Sequence, residues 1–170
     1  MNISRNYGLD FEQLIDKSNE YYKSEKIAFI NKKPTPIKIL SVSGNRISDA
    51  VFEKKSTTDY NGIYKGHHID FEVKSTIKST FDISSNLHQH QMEHMENIFN
   101  SGGISFIIIC FKMENKIFLI PFENLKQISV SHINIEKCSN LGFEIKESLN
   151  PSIDFISIVD KIIEEQYGKQ

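Results

Sequence analysis

Eight consecutive residues, Ile104–Phe111 (ISFIIICF), carry only one hydroxyl among apolar side chains and follow the stop signal Ser101-Gly102-Gly103. A strand this apolar has to be covered on both faces, so it belongs inside a sheet with helices on either side. It is far too short to span a bilayer, which takes about 20 apolar residues. Helical periodicity at Leu9–Lys23, Asn86–Asn100 and Ile153–Gln166 supplies the covering layers, with Asn86 as a candidate N-cap for the second. Shorter strand-like runs occur at Ile27–Asn31, Ile37–Val42 and Ile117–Ile120. The pattern predicts an α/β fold, a mixed sheet flanked by helices. The 170 residues fit one domain spanning 1–170.

The formal net charge of −2 argues against a protein that merely coats nucleic acid. Its distribution is uneven. Residues 1–80 hold 13 Lys and Arg against 10 Asp and Glu, whereas residues 81–170 hold 7 against 12. Phosphate contacts are therefore expected from the first half, where Arg5, Lys32, Lys33, Lys38, Arg46, Lys54, Lys55 and Lys65 lie. Cys110 and Cys138 have neither disulfide-framework nor metal-type spacing, and the N-terminus lacks a signal-peptide layout. A cytoplasmic protein without membrane contact is the expectation.

The chemistry concentrates around the strand expected at His67–Ser75. Ile69, Phe71 and Val73 alternate with His68, Asp70, Glu72 and Lys74, so the ionisable groups share one face. An isolated Glu-x-Lys is ordinarily an exposed ion pair of little energetic consequence. Here Asp59 stands thirteen residues before Glu72, and Asn61-Gly62 between them is a hairpin turn signal. A reversal at that pair is expected to bring Asp59 to Glu72. Two carboxylates with open coordination positions suit Mg²⁺, and a neighbouring ammonium suits a phosphoryl group gaining negative charge. This is the D…E-x-K arrangement of the restriction-endonuclease-like phosphodiesterases.

The run STTDYNGIYKGHHIDFEVK, then LHQHQMEHM and Gly102-Gly103 before the apolar strand, resembles the RecU family of bacterial Holliday junction resolvases. NYGLDFEQLIDKSNEYY and KKPTPI resemble it too, so the likeness extends from about Asn6 to Phe122. The resemblance implies a restriction-endonuclease-like core with a protruding stalk at about residues 41–56. It implies a homodimer that binds four-way junction DNA and cuts two strands symmetrically with Mg²⁺ or Mn²⁺, and it suggests recombinase and branch-migration proteins as further partners. Carried over position by position, the metal site falls on Thr57, Asp59, Glu72 and Gln91, and the transition-state lysine on Lys74.

The residues themselves support parts of this. Leu87, Gln91, Met95 and Ile98 form one helical stripe, which turns the Gln91 amide inward among apolar neighbours, where it needs partners. His90 and His94 have the spacing of a zinc pair but lack a matching third ligand, so His88 and His90 are expected as polar contacts near DNA or as helix-start residues. Tyr60 and Tyr64 are expected in the core. The acidic balance and a stalk segment poor in basic residues motivate a rival reading, a catalytically weak or inactive protein of the same fold that binds junctions or modulates a recombinase. A nuclease of linear duplex sharing the D…E-x-K core is a third.

Overall fold

The computed structural model describes residues 11–53 and 57–168. Arg5, Lys54, Lys55 and the start of the first expected helix lie outside them. In chain order the elements are α1 (Phe11–Ser24), β1 (Phe29–Lys32), β2 (Ile37–Ser43), β3 (Arg46–Phe52), β4 (Tyr60–Tyr64), β5 (His67–Thr76), β6 (Thr80–Asp82), α2 (Ile83–Asn86), α3 (Gln89–Asn100), β7 (Ile104–Phe111), β8 (Lys116–Pro121), α4 (Phe122–Leu125), β9 (His132–Asn134), α5 (Ile135–Leu141), β10 (Phe143–Ile145) and α6 (Ile156–Tyr167).

Six strands form the main sheet in the order β1-β4-β5-β7-β8-β10. β5 and β7 run parallel, and the other neighbours are antiparallel. Side chains of β7 go alternately to two cores. Phe106 and Ile108 join Ile69, Phe71 and Val73 beneath α1 and α6, whereas Ile107 and Ile109 join Phe118, Ile120 and Met95 on the side of α3, α4 and α5. Every residue of β7 is buried, which accounts for its lack of polar alternation. The expected mixed sheet flanked by helices is therefore present. Tyr60 stacks on Phe71 with ring centroids 5.0 Å apart, and Tyr64 is also buried.

The chain differs from the sequence expectation in three places. The protruding segment is a two-stranded hairpin, β2–β3, whose strands, among the described residues, pair only with each other and are exposed from Ile37 to Phe52. It thus begins before residue 41, and the run Ile37–Val42 is one of its arms rather than a strand of the core. Asn86 ends the short α2, while His88 caps α3. The chain also does not reverse at Asn61-Gly62. Both residues lie within β4, and the turn is Lys65-Gly66, with φ of 48° and 81°. Paired positive φ values are those of the tight hairpin turn that matches strand twist. Gly62 answers a different demand, because a Cβ there would strike the Phe29 carbonyl oxygen and the Ile30 Cα of the adjoining β1.

Candidate active site

The turn at Lys65-Gly66 sets the register on which the site depends. β4 and β5 pair Tyr60 with Phe71, so the next position outward sets Asp59 across from Glu72. A reversal at Asn61-Gly62 would have set Asp59 beside Tyr64. The expected neighbourhood is real, but a different turn produces it. Asp59 Oδ2 accepts the Val73 amide N–H at 2.9 Å, which holds the carboxylate against β5.

β5 is central in the sheet, and its polar face lies beneath α3. Asp70 and Glu72 are both fully buried. This face is therefore not the solvated edge that a lone Glu-x-Lys would suggest. Uncompensated carboxylates are costly in such a place, and a sequence that keeps them there is organised around something other than packing.

Glu72 Oε1 accepts from Lys74 Nζ at 2.6 Å and from Gln91 Nε2 at 2.7 Å. Its other oxygen, Oε2, is buried with no hydrogen-bond partner. Burial first, and the neighbouring Asp59 charge second, push the Glu72 carboxyl up to about 7. Burial raises Asp59 as well, against the opposing Val73 N–H and the Lys74 charge. Two carboxyls that resist ionisation side by side, one with a free inward lone pair, form a hard oxygen set short of positive charge. A divalent cation fits this donor set.

The remaining expected site residues converge here in different ways. Gln91 projects from the first turn of α3. Its Nε2 donates to Glu72 and, at 3.2 Å, to the Thr57 carbonyl, while its Oε1 accepts the His88 N–H at 3.1 Å. Reversing the amide would set oxygen against two acceptors, so the network fixes its orientation. Gln91 thus steadies Glu72 through nitrogen, and its oxygen is engaged in the helix cap. The Thr57 hydroxyl receives Lys33 Nζ at 3.3 Å.

Other sequence candidates go elsewhere. Lys32 pairs with Glu12 at 2.5 Å, and Lys65 with Asp160 at 2.7 Å. Lys33, also offered to phosphates by the sequence, points inward to Asp70 at 2.5 Å. The rings of His88 and His90 stack, with centroids 5.5 Å apart, while His94 turns to Asp70 at 3.2 Å. No group of three or more His, Cys, Asp or Glu arranged to hold a metal occurs among the described residues. Burial pushes the Cys110 and Cys138 thiols up to about 11 and about 12, away from nucleophilic service. Among the described residues, no helix is long and apolar enough to cross a membrane.

Comparison with known proteins shows the family of this chain. The protein called Holliday junction resolvase RecU in Lactococcus lactis subsp. lactis is 40% identical over 174 residues, covering 94% of this chain and 79% of its own length. Its namesake in Pediococcus pentosaceus is 42% identical over 169 residues, covering 92% and 84%. Among solved structures, that of Archaeoglobus fulgidus Hjc, a Holliday junction resolvase from an archaeal hyperthermophile, aligns at 15% identity with a TM-score of 0.45, over 79% of this chain and 93% of that one. The family model for recombination protein U matches residues 6–161, and the chain belongs to that family, RecU.

Proposed function

We propose that this protein is a structure-specific endonuclease that resolves four-way DNA junctions by metal-dependent phosphodiester hydrolysis. The observation that carries the reading is the Asp59–Glu72–Lys74 set, in which Glu72 is buried and keeps an unpartnered oxygen. The resolvase names of relatives at about 40% identity agree with it. Asp59 and Glu72 would hold Mg²⁺ or Mn²⁺, with Thr57 completing the oxygen set. Such an ion, when bound, supplies a water nucleophile at neutral pH and neutralises phosphoryl charge. Gln91 keeps the Glu72 carboxylate in place, and the Val73 amide does the same for Asp59. Lys74 holds a positive charge beside Glu72, where a scissile phosphate would gain negative charge.

Two symmetric cuts require two equivalent sites, so the working unit is a twofold homodimer. The exposed β2–β3 hairpin, with Ile39, Leu40, Val42, Ile47 and Phe52 in solvent, supports a role in contacts beyond this chain. Lys38 and Arg46 lie on it and are available to backbone phosphates, which position a protein without reading sequence.

The test is cleavage of a mobile four-way junction and of a linear duplex of the same sequence, in EDTA, Mg²⁺ and Mn²⁺. Paired symmetric nicks in the junction alone, dependent on metal, are expected. Asp59→Asn and Lys74→Ala should each lower the rate by about 10²–10³-fold while junction binding survives. Equal cutting of duplex and junction would refute the resolvase reading. Tight binding with no nicking after hours in Mn²⁺ would point to the non-catalytic junction binder.

A further inference from the structure

The D…E-x-K residues do not account for Asp70. This carboxylate is as deeply buried as Glu72, lies two residues away on the same face of β5, and is surrounded by donors from three other segments. Its Oδ2 receives Lys33 Nζ at 2.5 Å and meets His94 Nε2 at 3.2 Å, and its Oδ1 accepts the Thr58 hydroxyl. His68 Nε2 stands further off, at 3.8 Å. Lys33 is the hub of the group. Besides Asp70, its ammonium reaches Thr58 Oγ1 at 2.6 Å, Thr57 Oγ1 at 3.3 Å and His94 Nε2 at 3.2 Å. Its backbone N–H donates to the Asp59 carbonyl at 2.8 Å.

These contacts fall on one short segment. Thr57–Asp59 precedes β4 and carries Asp59 into the site. It is held by Lys33 through its backbone and both threonine hydroxyls, by Gln91 through the Thr57 carbonyl, and by Val73 through the Asp59 carboxylate. Lys33 lies just before the exposed hairpin and Thr57 follows it, so the lysine ties together the two ends of the chain from which the hairpin projects. His94 lies one turn beyond Gln91 on α3, so the same group also links α3 to that segment.

We infer that Lys33, anchored by Asp70 and His94, is a positioning residue that fixes the Thr57–Asp59 segment, and with it the Asp59 carboxylate, in the geometry that binds the divalent ion. Lys33 therefore acts through the metal site rather than by touching DNA. The inference rests on the proposed metal-dependent nuclease, and it adds residues outside the D…E-x-K set. Loss of a group that orients a metal ligand typically weakens metal binding by about 10–100-fold.

The test compares the wild type with Lys33→Met, Lys33→Arg and the double variant Lys33→Met/Asp70→Asn, with Asp59→Asn as the blank. The double variant leaves no buried charge without its partner, so it keeps the test open if Lys33→Met alone fails to fold. Mn²⁺ affinity is read from electron paramagnetic resonance titration of the free ion, and junction affinity from fluorescence anisotropy in EDTA. Circular dichroism reports folding. Mn²⁺ binding should weaken by about 10–100-fold in Lys33→Met and in the double variant, with junction affinity essentially unchanged and Lys33→Arg recovering most of the loss. Unchanged Mn²⁺ affinity in the folded double variant overturns the inference, as does weakened junction binding at unchanged Mn²⁺ affinity, which would make Lys33 a phosphate contact. Unfolding of the double variant also overturns it, since the cluster would then serve stability. A wild type that shows no Asp59-dependent Mn²⁺ binding overturns it too. Lys33-dependent Mn²⁺ binding in a protein that cuts no junction leaves the inference standing and removes the resolvase function instead.

Discussion

Replacing Glu72 by Gln separates the chemical duty of this carboxyl from its burden on the fold. In the metal-free protein, burial and the Asp59 charge raise Glu72 from 4.5 to about 7. Between those values the folded chain retains a proton that the unfolded chain has released, so stability is highest below 4.5 and falls as pH rises through the window. At about 1.4 kcal/mol per pH unit, the ceiling on this loss is about 3 kcal/mol, or roughly 6–12 °C in Tm for a chain of this length. Glu72→Gln removes the titration and keeps an oxygen for Lys74 and Gln91. Its amide nitrogen takes up the position of an unpartnered oxygen, but that cost is the same at every pH. Urea melts in EDTA at pH 5 and pH 8, followed by circular dichroism, therefore isolate the carboxyl as a difference in pH dependence. Wild type should lose more stability between the two pH values than the variant, by up to about 3 kcal/mol. Mn²⁺ at pH 8 should restore stability to the wild type and not to the variant, since a ligand that binds only the folded state stabilises it. Identical pH dependence in the two proteins would refute the argument that Glu72 is held up by burial and by Asp59.

Two further outcomes follow from the fold. Gly62→Ala places a Cβ against the β1 backbone, with Ile30 Cα at 2.7 Å, and should cost about 1–3 kcal/mol in urea melts. An unchanged midpoint would show that β1 yields there. Joining Ile37 to Phe52, which are cross-strand partners, by a short Gly-Ser link removes the hairpin. Because the hairpin strands, among the described residues, pair only with each other, stability should stay within about 0.5 kcal/mol, while junction affinity falls. A large loss of stability would mean that the hairpin packs on the core.

Much of this molecule is legible in its sequence because the signals concerned are local. Continuous apolarity at Ile104–Phe111 already requires helices on both sides of the sheet, and the alternation of β5 already sets Asp70, Glu72 and Lys74 on one face. Gln91 and Met95 likewise share the inward face of α3, although Leu87, read as part of the same stripe, lies before that helix in extended backbone. Turn chemistry was the misleading signal. Asn61-Gly62 has the sequence of a tight turn, but Gly62 is required where β1 crowds its neighbour, and the chain reverses at Lys65-Gly66 instead.

What tertiary structure alone decides is the environment of the polar face. Periodicity cannot distinguish a solvated edge strand from a central one covered by α3, because the same alternation suits both. The pairing of β5 with β4 and β7, and the helix laid over it, make Glu72 a buried carboxyl with a lone pair facing inward. The same long-range packing turns Lys33 from an apparent surface cation into the partner of Asp70. Burial depends on residues distant in the chain, and no local pattern around either residue carries that information.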